Sequence, residues 1–345
     1  IGLATGSWTR TLEASSTPIR TETAYSLYDE KARTIRSYTS NFQGGSKQID
    51  TNFDFNGKII YTITTHQRLS GGAVTSIRDD YSYTAQDRLE SIKQTISGTT
   101  QLLAFNEYDA LGQLISKKVG NTQTAPLQKM DYSYNIRGWL KGINNVNQLT
   151  YGSDPKDLFA FQINYDGISD VSKKQYNGNI SQILWASDNI DKSIRSYIFS
   201  YDALNRIKSA VDNAGLFSED NIQYDKNGNI LKLQRKGAIV QNPSTTVASH
   251  YGLMDDLKYD YDTGNKLMKV SDAAIIDQYG FKDDAVNTAA DTVDDYTYDA
   301  NGNMLTDANK GITTNISYNH LNLPVKIVLP TGNITYLYNA AGEKV

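Results

Sequence analysis

The chain contains no cysteine in 345 residues. That excludes disulfides, thiolate metal sites and cysteine nucleophiles, and it leaves the compartment open. Histidine is nearly as scarce: His66, His250 and His320 lie far apart, and none sits at a metal-ligand spacing or in a nucleophile elbow. No apolar run approaches the roughly 18 residues needed to span a bilayer as a helix. Charge of one sign is missing too. The 34 basic and 38 acidic residues are interspersed and leave a net charge of −4, so neither a nucleic-acid stripe nor a basic membrane patch is present. No segment holds a 3.6-residue apolar period, apart from a hint of a short helix over Asp284 to Val293.

What remains is tyrosine and turn chemistry. Tyrosine reaches 24 copies against 6 prolines, alongside abundant Asn, Thr, Ser and Gly, the mix of short strands and tight turns. A phrase recurs: Tyr108-Asp109-Ala110-Leu111-Gly112-Gln113-Leu114, Tyr201-Asp202 through Ile207, Tyr224-Asp225 through Ile230, and Tyr298-Asp299 through Met304. Its template is an aromatic anchor, Asp or Asn, two free residues, Gly or Asn, a polar residue and an aliphatic one. Anchors fall at Tyr28, Phe53, Tyr83, Tyr108, Tyr134, Tyr176, Tyr201, Tyr224, Tyr261, Tyr298, Tyr318 and Tyr338, mostly 20 to 30 residues apart. A degenerate copy is expected around Phe161 to Tyr165. Insertions are expected near 237–256, around Asn242-Pro243-Ser244, and near 281–295. Residues 1–20 read as a lead-in segment with at most an irregular strand.

Each copy reads as a β-hairpin. The residue two before the anchor is often apolar, as at Tyr81, Tyr132, Phe199, Ile222, Tyr259 and Tyr296, so both side chains share one strand face. Asp or Asn then closes the strand, because its side chain can bond the backbone just ahead of it. Gly three residues later suits the left-handed position of a type I turn with a bulge. Hairpins alone are marginal in water, so copies must pair edge to edge. Stacking is expected to align the anchors as a ladder of cross-strand aromatic contacts, each contributing about 0.2–1 kcal/mol. A long sheet twists and curls, giving a spiral or barrel-like wall. The mean hydropathy of −0.50 suits a wall with two solvated faces better than a globule.

Candidate chemistry is thin, and no catalytic, cofactor-binding or metal-binding residue is assigned. His320 reads as an exposed turn residue. The Asp-x-Asn-Gly-Asn strings at Asp225 and Asp299 place Gly too early for a helical calcium loop and read as turns. The acidic loop with Asp283, Asp284, Asp291, Asp294 and Asp295 is either a calcium grip or a solvated insertion. Of Trp8, Trp139 and Trp185, Trp139 follows a turn glycine and is expected to pack in a core; outward aromatics would stack on sugar rings. Lys47, Lys58, Arg88 and Arg206 read as solvated residues near the turns.

The copies at Tyr108, Tyr201, Tyr224 and Tyr298 resemble the RHS/YD-repeat family. Tyr134-Asn135-Ile136-Arg137-Gly138-Trp139-Leu140, Gln175 through Ile180, and Tyr296 through Pro324 resemble more narrowly the RHS proteins of Bacteroidetes-type bacteria. The resemblance covers roughly residues 20 to 345. It implies an all-β fold, a spiral of YD-repeat hairpins forming part of a hollow, cocoon-like β-shell over residues 21–345. It also implies a non-enzymatic role: enclosing a C-terminal toxin or effector in a secreted or cell-surface protein of bacterial competition. Partners would then be the rest of the polypeptide and a secretion machinery, with no nucleic acid and no transmembrane segment. A surface adhesin or carbohydrate-binding repeat protein is the alternative, with cell-surface glycans as partner. The family's end-piece with its paired aspartates is not found in the sequence. The chain is therefore expected to be an internal portion of a larger polypeptide, an arc with bare first and last strands.

Overall fold

In the computed structural model the described residues are 2–12, 20–150, 152, 154–189, 192–274, 278–283 and 293–345. The protein is all-β, with antiparallel strands throughout and helix limited to three single 3-10 turns among the described residues. No helix there is long and apolar enough to cross a membrane. Contacts divide the chain into two units. Unit 1 holds 1–144, 148–158 and 336–345; unit 2 holds 145–147 and 159–335.

Unit 1 opens with β1 (Gly6–Arg10), β2 (Thr21–Tyr28), β3 (Thr34–Ser40), β4 (Gly44–Phe53), β5 (Ile59–Leu69) and β6 (Val74–Tyr83). It continues with β7 (Leu89–Ile96), β8 (Thr99–Tyr108), β9 (Leu114–Val119), β10 (Gln128–Tyr134) and β11 (Leu140–Ile143). Each strand pairs with the next in one antiparallel ladder. The stretch expected as a lead-in therefore supplies a regular strand, with Trp8 opposite Thr23. Among the described residues, the outer edge of the first strand is met only at its C-terminal end. Leu12 donates its N–H to the Tyr338 carbonyl at 2.8 Å, and Ala340 donates to the Arg10 carbonyl at 2.8 Å. Asn339, 1% exposed, donates its side-chain amide to Glu22 at 2.8 Å and to Glu343 at 2.9 Å. Burial of an amide demands such partners, and here they come from both ends of the unit.

Unit 2 holds an eight-strand ladder. Its strands are β12 (Phe159–Asn164), β13 (Gln182–Ser187), β14 (Arg195–Tyr201), β15 (Ile207–Asp212), β16 (Ser218–Tyr224), β17 (Ile230–Ala238), β18 (Tyr251–Tyr261) and β19 (Leu267–Asp272). A hairpin follows, β20 (Tyr296–Tyr298) with β21 (Met304–Asp307), and then β22 (Ser317–Tyr318), β23 (Pro324–Leu329) and β24 (Gly332–Thr335). The degenerate copy expected near Phe161 is β12. Tyr176, expected as a strand anchor, lies instead in an exposed bend outside any strand. Residues 239–250 link β17 to β18, and residues 284–292, with the hinted helix and two of the loop aspartates, lie outside the described residues. An apolar cluster of Leu257, Val270 and Tyr296 forms the core of unit 2, flanked by Leu233, Leu267 and Phe281.

Candidate functional site

The repeated turn is the chemical unit of the wall. At Asp225 the carboxylate accepts the N–H of Asn227 and of Asn229, both at 2.8 Å, while Gly228 adopts φ +97°. The same bonds to the residues two and four ahead recur from Asp29, Asn41, Asn135, Asp202, Asp262, Asp299, Asn319 and Asn339. Thr84 substitutes a hydroxyl, and its bonds lengthen to 3.3 and 3.2 Å. Beside the anchor the register slips by one residue, as at Ser82/Tyr83 and Asp260/Tyr261, which is the expected bulge. The arrangement stabilises ionised carboxylates. The backbone N–H groups of Arg33, Lys58 and Arg206 hold the carboxyls of Asp29, Asp54 and Asp202 below the usual range, and the Asn303 amide does so for Asp299.

Consecutive repeats are stapled in three ways. First, the anchor hydroxyl donates to the carbonyl of the first aliphatic residue after the previous turn. The bonds are Tyr83 to Ile59, Tyr108 to Leu89, Tyr134 to Leu114, Tyr201 to Ile180, Tyr224 to Ile207, Tyr261 to Ile230, Tyr298 to Leu267 and Tyr318 to Met304, at 2.7–3.0 Å. This corrects the expected ring-on-ring ladder. Anchors sit two strands apart, about 10 Å, so the phenol reaches the intervening strand rather than the next ring. Second, a cation four residues after the turn Asp or Thr lies over the next anchor. Arg33 lies over Phe53 at 4.8 Å, Lys58 over Tyr83 at 5.5 Å, Arg88 over Tyr108 at 5.8 Å and Arg206 over Tyr224 at 4.5 Å. The Arg33 and Arg206 guanidiniums also donate to the Asp54 and Asp225 carbonyls at 3.0 and 3.1 Å. Lys58, Arg88 and Arg206 are thus half-buried staples, not solvated residues; Lys47 alone of that set is exposed.

The third staple uses asparagine. Asn227 and Asn229 both donate their side-chain amides to Oδ1 of Asn265 at 2.8 Å. Asn177 and Asn179 do the same to Asn205 at 2.7 and 3.2 Å, and Asn301 and Asn303 to Asn322 at 3.2 and 3.0 Å. The acceptors Asn205, Asn265 and Asn322 all occupy the left-handed position of the following turn, with φ of +64°, +65° and +58°.

A groove of about 720 Å³ opens on the sheet face of unit 2. Tyr197 and Phe199 of β14 line it with Phe217, Met254 and Tyr279, and Glu219 and Arg235 supply charge. Trp185 stacks on Tyr197 at 5.6 Å, and Phe217 meets Tyr251 edge-on at 5.2 Å. A Cβ at Gly237 would meet the Met254 sulfur, so the thioether packs directly over this glycine. Arg235 is anchored by an ion pair with Asp255, whose side chain is fully buried and whose other oxygen accepts the Phe281 N–H at 2.5 Å.

The residues singled out from sequence do not converge. His66 is exposed on β5, His320 sits exposed at its turn, and His250 accepts the Ser244 N–H at 3.0 Å. Trp139 lies half-buried under the Arg137 guanidinium at 5.0 Å, and Trp8 is 63% exposed. Asp225 and Asp299 spend their carboxylates on their own turns. Of the acidic loop, Asp283 accepts the Asp272 N–H at 3.0 Å, and Asp295 accepts the Val270 N–H at 2.7 Å and the Asn309 amide at 2.9 Å. Among the described residues no group of three potential ligands could hold a metal ion. Sequence reasoning missed the buried carboxylates Asp255, Asp272 and Asp307, each at most 2% exposed, and Asp295, read as part of an acidic loop, is buried at 3%. A signal existed: Asp212 and Asp272 each fall ten residues after a turn aspartate, Asp202 and Asp262.

No family model and no curated protein matches the chain. Among solved structures it is similar to TcdB2-TccC3 lacking its hypervariable C-terminal region, at 15% identity and a TM-score of 0.46, over 94% of this chain and 17% of the other. It is also similar to the Photorhabdus luminescens Tc holotoxin pore carrying a TccC3 mutation, at 15% identity and 0.42, over 98% and 19%. A porin-like protein from Bacteroides uniformis aligns at 10% identity and 0.24, over 65% and 91%. The chain thus spans less than a fifth of the first two.

Proposed function

We propose that this chain is a wall segment of an RHS-type shell, part of a larger secreted polypeptide that encloses a C-terminal toxin or effector for delivery in bacterial competition. One observation carries the reading: the anchor hydroxyl, the turn carboxylate and the cation or asparagine staple repeat from hairpin to hairpin in both units. Side chains that an enzyme would aim at a substrate are here spent on the neighbouring repeat. On this reading the role is mechanical and not enzymatic. A wall of this kind works by steric exclusion, keeping proteases and the producer's own targets away from what it encloses, and the apolar groove beside Tyr197 offers enclosed chain a surface for weak contact. Mass measurement and limited proteolysis on the full-length product test it. A resistant wall retaining a separate C-terminal fragment, released only by denaturant, is the expected result. One continuous polypeptide without a protected tail overturns it.

A second reading, a glycan-binding surface protein, is favoured by one feature of unit 1. Trp8 shares a sheet face with Tyr25 and Tyr38, which stack at 4.8 Å, and Trp8 and Tyr25 are 63% and 37% exposed. Glycan-array binding that disappears in Trp8→Ala would establish it.

A further inference from the structure

The chain contains four Asn-Gly dipeptides, Asn56-Gly57, Asn177-Gly178, Asn227-Gly228 and Asn301-Gly302. Three occupy turns of the repeated kind, and Asn177-Gly178 lies in the bend that follows the 3-10 turn. The glycines share one backbone conformation, with φ of +95°, +103°, +97° and +86°, and all four asparagines are exposed. In the three repeated turns the glycine N–H is engaged alike, donating to the turn carbonyl at 3.2 Å for Gly57, 3.3 Å for Gly228 and 3.1 Å for Gly302. Sequence and backbone therefore make Asn56, Asn227 and Asn301 equivalent, while Asn177 shares the glycine conformation and also accepts the Asn179 N–H on its Oδ1 at 3.0 Å. Their side chains differ.

Asn177, Asn227 and Asn301 each donate the amide NH2 to the left-handed asparagine of the next turn. Asn56 has no such partner among the described residues. The next turn carries Asp87 where the others carry Asn, also left-handed at φ +64°. Asp87 is occupied by Lys58, which stands where Asn179, Asn229 and Asn303 stand in the other copies. Substituting a cation for asparagine changes the staple and leaves the Asn56 amide unheld.

We propose that Asn56 is a site of spontaneous succinimide formation in the folded protein, and that the asparagine staples protect the other three. The Gly57 nitrogen attacks Cγ of Asn56 and forms a new C–N bond. The carboxamide nitrogen departs as ammonia, carrying the proton lost from the Gly57 N–H. Water then opens the ring at either carbonyl, giving Asp or isoaspartate at position 56. In the three stapled copies the amide must first leave its Oδ1 acceptor before Cγ can swing onto the glycine nitrogen. One neutral hydrogen bond slows that departure about five- to tenfold. Isoaspartate would add a backbone methylene inside the Asp54 turn, next to the Lys58 to Asp87 bridge.

The test is incubation of the folded protein in mildly alkaline buffer, followed by peptide mapping with enzymatic isoaspartate labelling. Asn56 should convert about five- to tenfold faster than Asn177, Asn227 or Asn301, and the four rates should converge in denaturant. Asn265→Gly, which keeps the left-handed backbone but removes the acceptor, should raise the Asn227 rate toward that of Asn56. Unchanged rates at Asn177 and Asn301 in that variant show that it still folds. Equal rates at all four sites in the folded protein, or no response of Asn227 to Asn265→Gly when those internal rates hold, would overturn the proposal.

Discussion

Unit 1 is built from long strands, ten residues in β4, β6 and β8 and eleven in β5, and most of their side chains stay half-exposed. Unit 2 uses shorter strands, many of six or seven residues, yet it holds the Leu257, Val270 and Tyr296 cluster and four buried aspartates. Both units carry the same turn and the same hydroxyl staple. What differs is the use made of buried carboxylates. In unit 2 carboxylates take donors within and just beyond the strands: Asp272 receives Asp256 of β18 and Ala274, and Asp295 receives Val270 of β19. Burying those carboxylates is tolerable only because each is bonded. One repeat can thus be stabilised by length or by polar clamps, and the clamps come with a core.

The contrast can be broken at its strongest point. Asp255→Ala removes the buried partner of Arg235 and the acceptor for Phe281, and should cost about 3 kcal/mol, at the lower end for a broken buried pair because Arg235 is partly solvated. Hydrogen exchange should then accelerate across β17 to β19 while β4 to β8 keep their protection. A uniform loss across both units would mean that they do not unfold separately. Leu257→Ala should follow at about 2–3 kcal/mol by denaturant titration, reflecting a small core cluster. For the staple common to both units, Tyr108→Phe and Tyr224→Phe should each cost about 1 kcal/mol, and the two values should agree. A much larger loss in one unit would show that the staple is not equivalent.

The smallest effect lies in unit 1 and concerns pH. Burial, with repulsion from Asp131 and Asp154, raises Asp157 to about 6, against a partial offset from Lys129. A raised carboxyl favours the fold most when protonated. Its contribution is therefore complete below the ordinary value of 3.8 and is lost as pH rises through about 6. The turn carboxylates of Asp202 and Asp299 act with the opposite sign, contributing above their ordinary range and failing as pH falls. Protection against exchange near residues 154–158, taken relative to the intrinsic rate at each pH, should fall between pH 4 and 6, and Asp157→Asn should abolish that fall.

The turns were legible in the sequence because their chemistry is local. Asp225, Gly228 and the bulge beside Tyr224 concern residues within a few positions of one another, and composition alone announces them. The staples were only half legible. The tyrosine spacing marked the anchors, but Arg206 becomes a staple only when the ring of Tyr224 arrives beneath it, and its surroundings belong to another repeat. Tyr176 has the motif and no strand, since the hairpin there gives way to a 3-10 turn at Val171–Lys173 and a bend. Asp255 looked like one more charged strand residue. Nothing within ten positions of it indicates that the Phe281 N–H will need an acceptor.

The contact between Asn339 and Glu22 joins residues 317 positions apart, whereas the staples between repeats join residues 14 to 38 apart. Hairpins and their staples can thus form quickly and one after another, as low-separation contacts do. The clasp on β1 has to wait for a far longer loop to close, although the entropic cost of that closure grows only logarithmically with length. Unit 1 should accordingly finish folding in two stages, a rapid assembly of β2 to β11 and a slow docking of residues 336–345. Until the second stage is complete, the C-terminal end of β1 is available to any strand nearby.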